Sequence, residues 1–241
     1  MKSVVLQTLL DQGQVWAGEL SAKTRGRSTG HAQLDSVLAG GGWPHHGLIE
    51  IQTQGDGMGE LQLLLPSLAQ AEHRLWIWLD PPMQPCAQAL QQAGLDLSRC
   101  LILRTQNQGD ALWALERSLQ SGCVDSALSW LRQAPALKAL RRLQMAAERG
   151  RALAHLMHDD SWSLDAGTHA RIALWPDASQ PGQIEVQVQR QRGGPQRQPI
   201  ALPLLAIQAC RPARPKPAQF KPAYLDPKPH IVSQPSLQLS L

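Results

Sequence analysis

The sequence contains no long hydrophobic run. Its longest apolar stretch, residues 61–68, is interrupted by Gln62, Pro66 and Ser67, and it falls far short of the roughly 20 apolar residues that a membrane-spanning helix needs. The first residues also lack the apolar segment and the cleavage site of an export signal. We therefore expect no membrane partner and a cytoplasmic location.

Cysteine and charged residues are also sparse. The four cysteines are widely spread and form no Cys-x-x-Cys pair, which argues against a structural zinc site and against a disulfide framework. Charged residues make up 17% of the chain, but hydrophobic residues make up 43%. That apolar content excludes wholesale disorder, and 241 residues are enough for one large domain with a tail.

The charge is distributed unevenly along the chain. Residues 190–241 carry eight basic residues and one acidic residue, whereas the preceding 189 residues carry 15 basic and 18 acidic residues. A basic segment behind a mildly acidic body predicts a tail that contacts an anionic partner, with weak, non-specific DNA binding as the simplest form. The alternative is a tail whose charges only keep it solvated.

Apolar strands alternate with helical segments through most of the chain, which predicts an α/β fold with a mainly parallel sheet. After about residue 165, Ile184, Val186 and Val188 alternate with polar residues, and this alternation predicts antiparallel strands at the sheet edge. The predicted domains are a helical arm and linker at 1–27, an α/β domain at 28–208 and a proline-rich, basic, disordered tail at 209–241.

The predicted elements within the α/β domain follow in order along the chain. The strands are 48–51, 75–79, 100–103, 124–131, 152–157, 171–175, 183–189 and 200–202. The main helices are 60–72, 84–94, 108–121 and 135–149, and the last three are followed by Gly94, Gly122 and Gly150 as predicted helix terminators.

A glycine-bearing loop, QGDGMGEL at 54–61, follows the first strand. Gly59 stands at the second glycine of the phosphate-binding P-loop consensus, which continues with Lys and then Ser or Thr, and Gly55 and Gly57 lie earlier in the same loop. Here Glu60 replaces the Lys and Leu61 replaces the hydroxyl residue. An anion facing the phosphates is repulsive, so we predict no ATP hydrolysis, no nucleotide or metal cofactor and no enzymatic activity.

The segments around this loop resemble the RecA recombinase core. They are STGHAQLD at 28–35, GGGWP at 40–44 and GLIEI at 47–51. By this resemblance, Asp80 lies where RecA has its catalytic Glu. The segment SGCVD at 121–125 then places Trp130 at the position of the magnesium-site Asp. The resemblance thus implies a RecA-like fold whose catalytic positions have been lost.

Other segments resemble the cell-division inhibitor SulA, namely LQLLLP at 61–66, RLWIWL at 74–79 and QAGLDL at 92–97. Over the whole chain, the resemblance is greatest to the ImuA family of SOS-induced, translesion-synthesis-associated proteins. It implies a non-catalytic adaptor in error-prone translesion synthesis that acts with ImuB and an error-prone C-family polymerase, with RecA as a further candidate partner. The alternatives are a SulA-like inhibitor that binds the tubulin-like protein FtsZ and, second, a RecA-like ATPase.

Basic residues provide the candidate contacts to DNA or to a protein partner. Helix 135–149 places four of them on one side, and the tail contributes five more. The helix residues are Lys138, Arg141, Arg142 and Arg149, and the tail residues are Arg211, Arg214, Lys216, Lys221 and Lys228. The alternative for the helix is an ordinary solvated face.

Two further segments carry predictions. The loop from 158 to 170 is short, and His158, Asp159, Asp160 and Asp165 give it an acidic lining that suits a solvated turn better than a DNA contact. The chain ends with Gln238, Leu239, Ser240 and Leu241. These four residues resemble a sliding-clamp-binding peptide that lacks its terminal aromatic residue, and they make the clamp a candidate partner.

Overall fold

Eight strands form one sheet in the computed structural model, which describes residues 25–70, 74–159, 161–162, 164, 167–193 and 198–204. The strands are β1 (Gly47–Thr53), β2 (Leu75–Leu79), β3 (Cys100–Leu103), β4 (Val124–Trp130), β5 (Leu153–Asp159), β6 (Ala170–Pro176), β7 (Gln183–Gln191) and β8 (Ile200–Pro203).

The strand order is β3-β2-β4-β5-β1-β6-β7-β8. The first six strands in this order are parallel, whereas β7 and β8 are antiparallel additions at one edge. Because β1 lies between β5 and β6, the glycine loop that follows β1 emerges near the middle of the sheet. The predicted α/β class, with a parallel centre and antiparallel edge strands, is confirmed.

Within the described residues, five α-helices cover the two faces of the sheet. They are α1 (Ala32–Val37), α2 (Glu60–Ala69), α3 (Ala87–Gln92), α4 (Gln108–Gln120) and α5 (Leu137–Gly150), and a short 3₁₀ helix, Leu97–Arg99, precedes β3. Buried residues of α1, α2 and α3 form one core cluster with the strands, and those of α4 and α5 form the other. The strand residues alternate between these clusters, as the two-residue period of a strand requires.

Trp76 and Trp78 illustrate that alternation. Both side chains are buried on the α2 face, at 1% and 0% exposure, whereas Ile77 and Leu79 point into the α4–α5 cluster. The apolar sequence of β2 is therefore explained by burial on both faces. Both tryptophans are therefore core residues.

The prediction that Gly150 ends the basic helix is wrong. Gly150 is the last residue within α5, and Arg151 adopts the left-handed conformation that ends the helix, at φ 52°. A Cβ on Gly150 would lie 1.8 Å from the carbonyl oxygen of Leu119. Glycine is needed here because α4 approaches the α5 backbone, which is a tertiary cause that the local sequence does not reveal.

None of the described helices combines the length and the apolar character that spanning a bilayer requires. Residues 1–24 and 205–241, which contain most of the predicted arm and the predicted tail, lie outside the described residues. The domain boundaries at 27/28 and 208/209 remain predictions.

Candidate functional site

The loop from 54 to 59 connects the carboxyl end of β1 to the start of α2, the position at which a P-loop holds phosphate. Gly57 and Gly59 have φ angles of 77° and 107°. Such angles are accessible to glycine at little cost, and they turn the chain directly from the strand into the helix. The expected glycine turn is therefore present.

Glu60 is the first residue of α2, and its side chain folds back into the loop. Its Oε1 accepts a hydrogen bond from the backbone N–H of Gly57 at 3.0 Å, and the residue is only 4% exposed. Its Oε2 has no hydrogen-bond partner among the described residues. The carboxylate thus takes up a backbone donor of the loop, near the positive end of the helix dipole.

The residues next to Glu60 also restrict the loop. Leu61 packs against the apolar core instead of offering a hydroxyl to a metal ion. A Cβ on Gly59 would lie 2.8 Å from Ile184 and 3.3 Å from Leu204, so the C-terminal strands press against the loop from the other side. Asp56, at the outside of the loop, is exposed.

Asp80 follows β2 and adopts the left-handed region at φ 51°, which is unusual for a residue other than glycine. Its Oδ1 accepts the backbone N–H of Thr105 at 2.6 Å, and its Oδ2 accepts the hydroxyl of Thr105. Both carboxylate oxygens therefore tie the end of β2 to the segment that follows β3. Asp80 acts here as a structural link between two loops.

Trp130 is the last residue of β4, which pairs with β2, and Asp80 directly follows β2. The register pairs Leu79 with Ser129, so Asp80 and Trp130 are the next residues on adjacent strands. The Trp130 ring lies 5.9 Å from the ring of Trp78, which in turn lies 5.8 Å from that of Trp76. An indole thus fills the space where the resemblance to RecA would place a magnesium-binding carboxylate.

Asp80 and Trp130 share a small cavity at the carboxyl ends of β2, β3 and β4. Its volume is about 40 Å³, and its lining also includes Thr105, Asn107 and Arg132. Ligands of open α/β sheets bind at this edge in general, but a cavity of this size holds only a water molecule or two. Among the described residues, no group of three or more His, Cys, Asp or Glu side chains is placed to hold a metal ion.

Sequence reasoning missed a buried ionic network centred on Glu50. This residue is fully buried in β1, and its carboxylate accepts hydrogen bonds from Nε of Arg171 at 2.9 Å and from the backbone N–H of Leu164 at 2.8 Å. It also lies 3.1 Å from Nε2 of His158. The sequence did contain one signal for this network, because Glu50 is a charged residue in the predicted strand 48–51, whose other residues are apolar.

The environment of Glu50 favours its charged form. Burial raises the pKa of this carboxyl, but hydrogen bonds from His158, Arg171 and Leu164, together with the positive charge of Arg171, outweigh burial and lower it overall. The network therefore fixes the loop between β5 and β6 to the centre of the sheet.

His158 does not belong to the solvated turn predicted from its sequence. It is only 5% exposed, and its ring stacks on that of Trp162 at 3.8 Å. Its contact with Glu50 is long-range in sequence, which explains why the local pattern was misleading. Asp159 is exposed, as expected, and it accepts hydrogen bonds from Ser161. Asp160 and Asp165 lie outside the described residues.

The four cations of the basic helix are exposed on α5. Arg142 forms a two-point ion pair with Glu116 of α4. Among the described residues, Lys138, Arg141 and Arg149 make no ion pair. The other predicted contact residues lie outside the described part of the chain: Arg211, Arg214, Lys216, Lys221, Lys228, Gln238, Leu239, Ser240 and Leu241.

A comparison with solved structures agrees with the predicted RecA-like fold. The chain is 18% identical to the RadB recombinase, whose crystal structure superposes with a TM-score of 0.57 over 73% of this chain and 95% of that one. This likeness shows the fold alone.

The sequence relationships are more specific. The family model for the cell division inhibitor SulA matches residues 47–154. The chain is 31% identical to the cell division inhibitor SulA of Edwardsiella piscicida over 128 residues, which are 51% of this chain and 74% of that protein. It is also 31% identical to that of Pectobacterium carotovorum over 138 residues, 56% of this chain and 79% of that protein. The chain therefore belongs to the SulA family.

Proposed function

We propose that this protein is a non-catalytic inhibitor of cell division that acts by binding another protein. The observation that carries the proposal is the hydrogen bond from Gly57 to the buried carboxylate of Glu60, within a chain of the SulA family. A loop whose backbone N–H already donates a hydrogen bond to the protein's own Glu60 carboxylate is poorly suited to nucleotide chemistry. Binding to a partner is the function that remains for such a fold.

The candidate partner is FtsZ, the tubulin-like division protein. Two experiments test this assignment: the protein is expressed from an inducible promoter in undamaged bacterial cells, and the purified protein is added to FtsZ during GTP-driven assembly. We expect long, undivided cells in the first and reduced light scattering in the second. Normal cell length together with normal FtsZ assembly would contradict the proposal.

A matched control separates this activity from unspecific toxicity of an overexpressed protein. Met83→Ala changes an exposed side chain on the loop after β2, which is 63% exposed, and it should leave the fold intact. Gly150→Val should prevent folding, because its Cβ would meet the Leu119 carbonyl. Filamentation with the first variant and none with the second is the expected pair of results.

A second candidate function is that of an adaptor in SOS-induced translesion synthesis. The observation that favours it is the extent of the fold beyond the SulA match: β6, β7 and β8 lie after residue 154, and they complete the sheet. In this role the protein binds ImuB and an error-prone polymerase, with RecA and the sliding clamp as further candidates.

The two functions make different predictions for a strain that lacks the protein. For an adaptor, the deletion lowers damage-induced mutation frequency, and a tagged protein recovers ImuB from damaged cells. Deleting residues 238–241 should then reduce recovery of the clamp if the terminal peptide binds it. For a division inhibitor, mutation frequency is unchanged and cells divide earlier after DNA damage.

A further inference from the structure

The glycine loop at 54–61, which we call the altered P-loop, carries two carboxylates that lack a counter-charge. Asp56 and Glu60 make no ion pair with any described residue. A consensus P-loop has a Lys at the position of Glu60, and that cation attracts phosphate. The two anions found here repel phosphate and attract a cation. The sign of the charge that this loop presents to a ligand is therefore reversed.

The carboxylate of Glu60 also lacks a hydrogen-bond donor. The residue is only 4% exposed, and its Oε1 accepts the backbone N–H of Gly57 at 3.0 Å. Its Oε2 is buried and has no donor among the described residues. A buried acceptor that is left without a donor costs free energy, and the cost is larger for a charged group. Since the side chain folds back into the loop, the missing donor points to a ligand that donates a hydrogen bond there.

One side of the loop is open to such a ligand. Asp56 and Gly57 are exposed. Apart from its chain neighbours, a Cβ on Gly55 would have only the terminal methyl group of Met58 within 4 Å, at 3.6 Å, and a methionine side chain adapts easily. The loop also lies at the carboxyl ends of the parallel strands, where open α/β sheets bind their ligands. A ligand can thus approach on the Gly55 side by moving one flexible side chain.

A guanidinium has the chemistry that this loop requires. Its N–H groups form a planar fork that donates several hydrogen bonds, and it is more weakly hydrated than an ammonium, so it loses less when it reaches a buried oxygen. A metal ion is less suitable, because no three His, Cys, Asp or Glu side chains among the described residues are placed to hold one.

The size of the site indicates what carries the guanidinium. The cavity between Asp80 and Trp130, at the same edge of the sheet, has a volume of about 40 Å³. This volume is far below that of a pocket that encloses a small molecule. An open loop beside so small a cavity suits a single side chain that projects from a protein surface, with the rest of that surface covering the loop.

We propose that the altered P-loop binds an arginine side chain of a partner protein. The guanidinium donates a hydrogen bond to Oε2 of Glu60, and the carboxylate of Asp56 balances its charge at the exposed side of the loop. The inference rests on the proposed function and deepens it, because it names the chemistry of the partner contact. The glycine loop then keeps a binding role, with a cation in place of phosphate.

An NMR titration of the full chain tests this site with three small probes at constant ionic strength. They are N-acetyl-arginine amide, its ammonium counterpart N-acetyl-lysine amide, and N-acetyl-citrulline amide, a neutral analogue of the arginine probe. The arginine probe should shift the backbone amide signals of Gly55, Gly57 and Gly59 in a saturable way, with a Kd of about 1–10 mM. The lysine probe should bind about threefold more weakly or less tightly still, and the citrulline probe should cause no saturable shift.

Two variants and a matched control assign the binding to the two carboxylates. Glu60→Gln keeps the size of the side chain and an acceptor for Gly57, but it removes the charge, and it should weaken arginine binding about tenfold. Asp56→Asn should weaken it about threefold, because the carboxylate is exposed. Glu148→Gln removes an exposed carboxylate from α5 and should bind as the wild type does. Thermal unfolding of each variant checks that the fold is retained.

Several outcomes would overturn the proposal. They are no saturable shift of the loop signals at about 100 mM arginine probe, equal binding of the lysine probe, and undiminished binding by a folded Glu60→Gln variant. A titration with Ca²⁺ and with Mg²⁺ provides a further arm. Saturable shifts of the same signals by either ion, without any by the arginine probe, would identify a metal site, and the inference would be wrong.

The same variants connect the site to the proposed function. If the wild type inhibits FtsZ assembly, Glu60→Gln should inhibit it less and Glu148→Gln should inhibit it equally. Arginine binding by a protein that leaves FtsZ assembly unchanged would contradict only the proposed function. Inhibition that is as strong in Glu60→Gln as in the wild type would contradict only the arginine site.

Discussion

The carboxylate of Glu60 accepts a hydrogen bond from the backbone N–H of Gly57, with 3.0 Å between Oε1 and the nitrogen. In a functional P-loop, such backbone donors face phosphate oxygens. Here the chain supplies its own anion to a donor of the loop, at the start of α2. The loop adopts its glycine-dependent turn with Glu60 and Leu61 at the positions where the consensus has Lys and Ser or Thr.

We expect that restoring the two consensus residues does not restore ATP hydrolysis. The double variant Glu60→Lys with Leu61→Thr places Lys and Thr at the last two P-loop consensus positions, but Gln54 still stands where the consensus has its first Gly. Trp130 also remains where the resemblance to RecA implies the magnesium-site Asp, and Asp80 remains bonded to Thr105. The measurement is phosphate release by the purified variant and the wild type, with and without Mg²⁺. Steady turnover in the double variant would show that the strand register does not align Trp130 with the catalytic acid position.

Removal of the Glu60 carboxylate should allow the loop to bind phosphate. Glu60→Ala frees the Gly57 N–H and the start of α2, so inorganic phosphate at tens of millimolar should stabilise this variant by roughly 1 kcal/mol, or about 2–4 °C in Tm. The wild type should not respond. Glu148→Ala, which removes an exposed carboxylate on α5, is the matched control. An equal response in all three proteins would mean that phosphate acts through general salt effects.

The Glu50 network should make stability depend on pH. Because the pKa of Glu50 is lowered by folding, its contribution is complete above the carboxyl's ordinary pKa and is lost as the pH falls through the lower folded-state value. Glu50→Gln leaves Arg171 without its buried counter-charge, and we expect it to cost about 3 kcal/mol at pH 7. Urea unfolding between pH 3 and pH 7 measures both effects, and the variant should show a flatter profile than the wild type.

A control for this profile is available in the exposed carboxylate of Glu148, which accepts a hydrogen bond from Gln144. Glu148→Gln should change stability by less than about 0.5 kcal/mol at either pH. If Glu50→Gln behaves in the same way, the network seen around Glu50 does not contribute to folding.

His155 is a second residue that should make folding stability depend on pH. Burial lowers the pKa of this imidazole to about 3, with a further contribution from the charge of Arg27 that the opposite charge of Asp125 partly offsets. Between pH 6.5, near the ordinary pKa of a histidine, and pH 3, the unfolded chain therefore binds a proton at His155 more readily than the folded protein does. As the pH falls through this range, the free energy of unfolding decreases by up to about 1.4 kcal/mol per pH unit. His155→Leu should remove this loss, because leucine does not bind a proton. The change should also break no hydrogen bond, because neither ring nitrogen has a partner among the described residues.

The measurement for His155 is unfolding at pH 7 and pH 5, combined with an NMR titration of the imidazole. The variant should equal or exceed the wild type at pH 5, since a neutral apolar side chain of similar size replaces an unsatisfied polar one. An imidazole that titrates near pH 6 in the folded protein would contradict this account.

Features with a local cause were predictable from the sequence. The alternation of strands and helices identified the sheet, and the spacing of Gly55, Gly57 and Gly59 located the loop because the backbone angles depend on these residues themselves. The roles of Glu50 and Gly150 were missed because their causes are tertiary. Arg171 lies 121 residues from Glu50, and the Leu119 carbonyl approaches Gly150 from another helix.

The basic tail should supply any DNA affinity that the protein has. Residues 209–241 contain five Lys and Arg residues, and cations on an extended segment bind phosphates by releasing counterions without reading sequence. With a single-stranded oligonucleotide, we expect the logarithm of the binding constant to fall with the logarithm of salt concentration with a slope of about −3 to −4. Removal of 209–241 should abolish binding, and replacement of its five cations by Gln should do the same at unchanged length. Undiminished binding by the truncated chain would assign the contact to Lys138, Arg141 and Arg149 on α5.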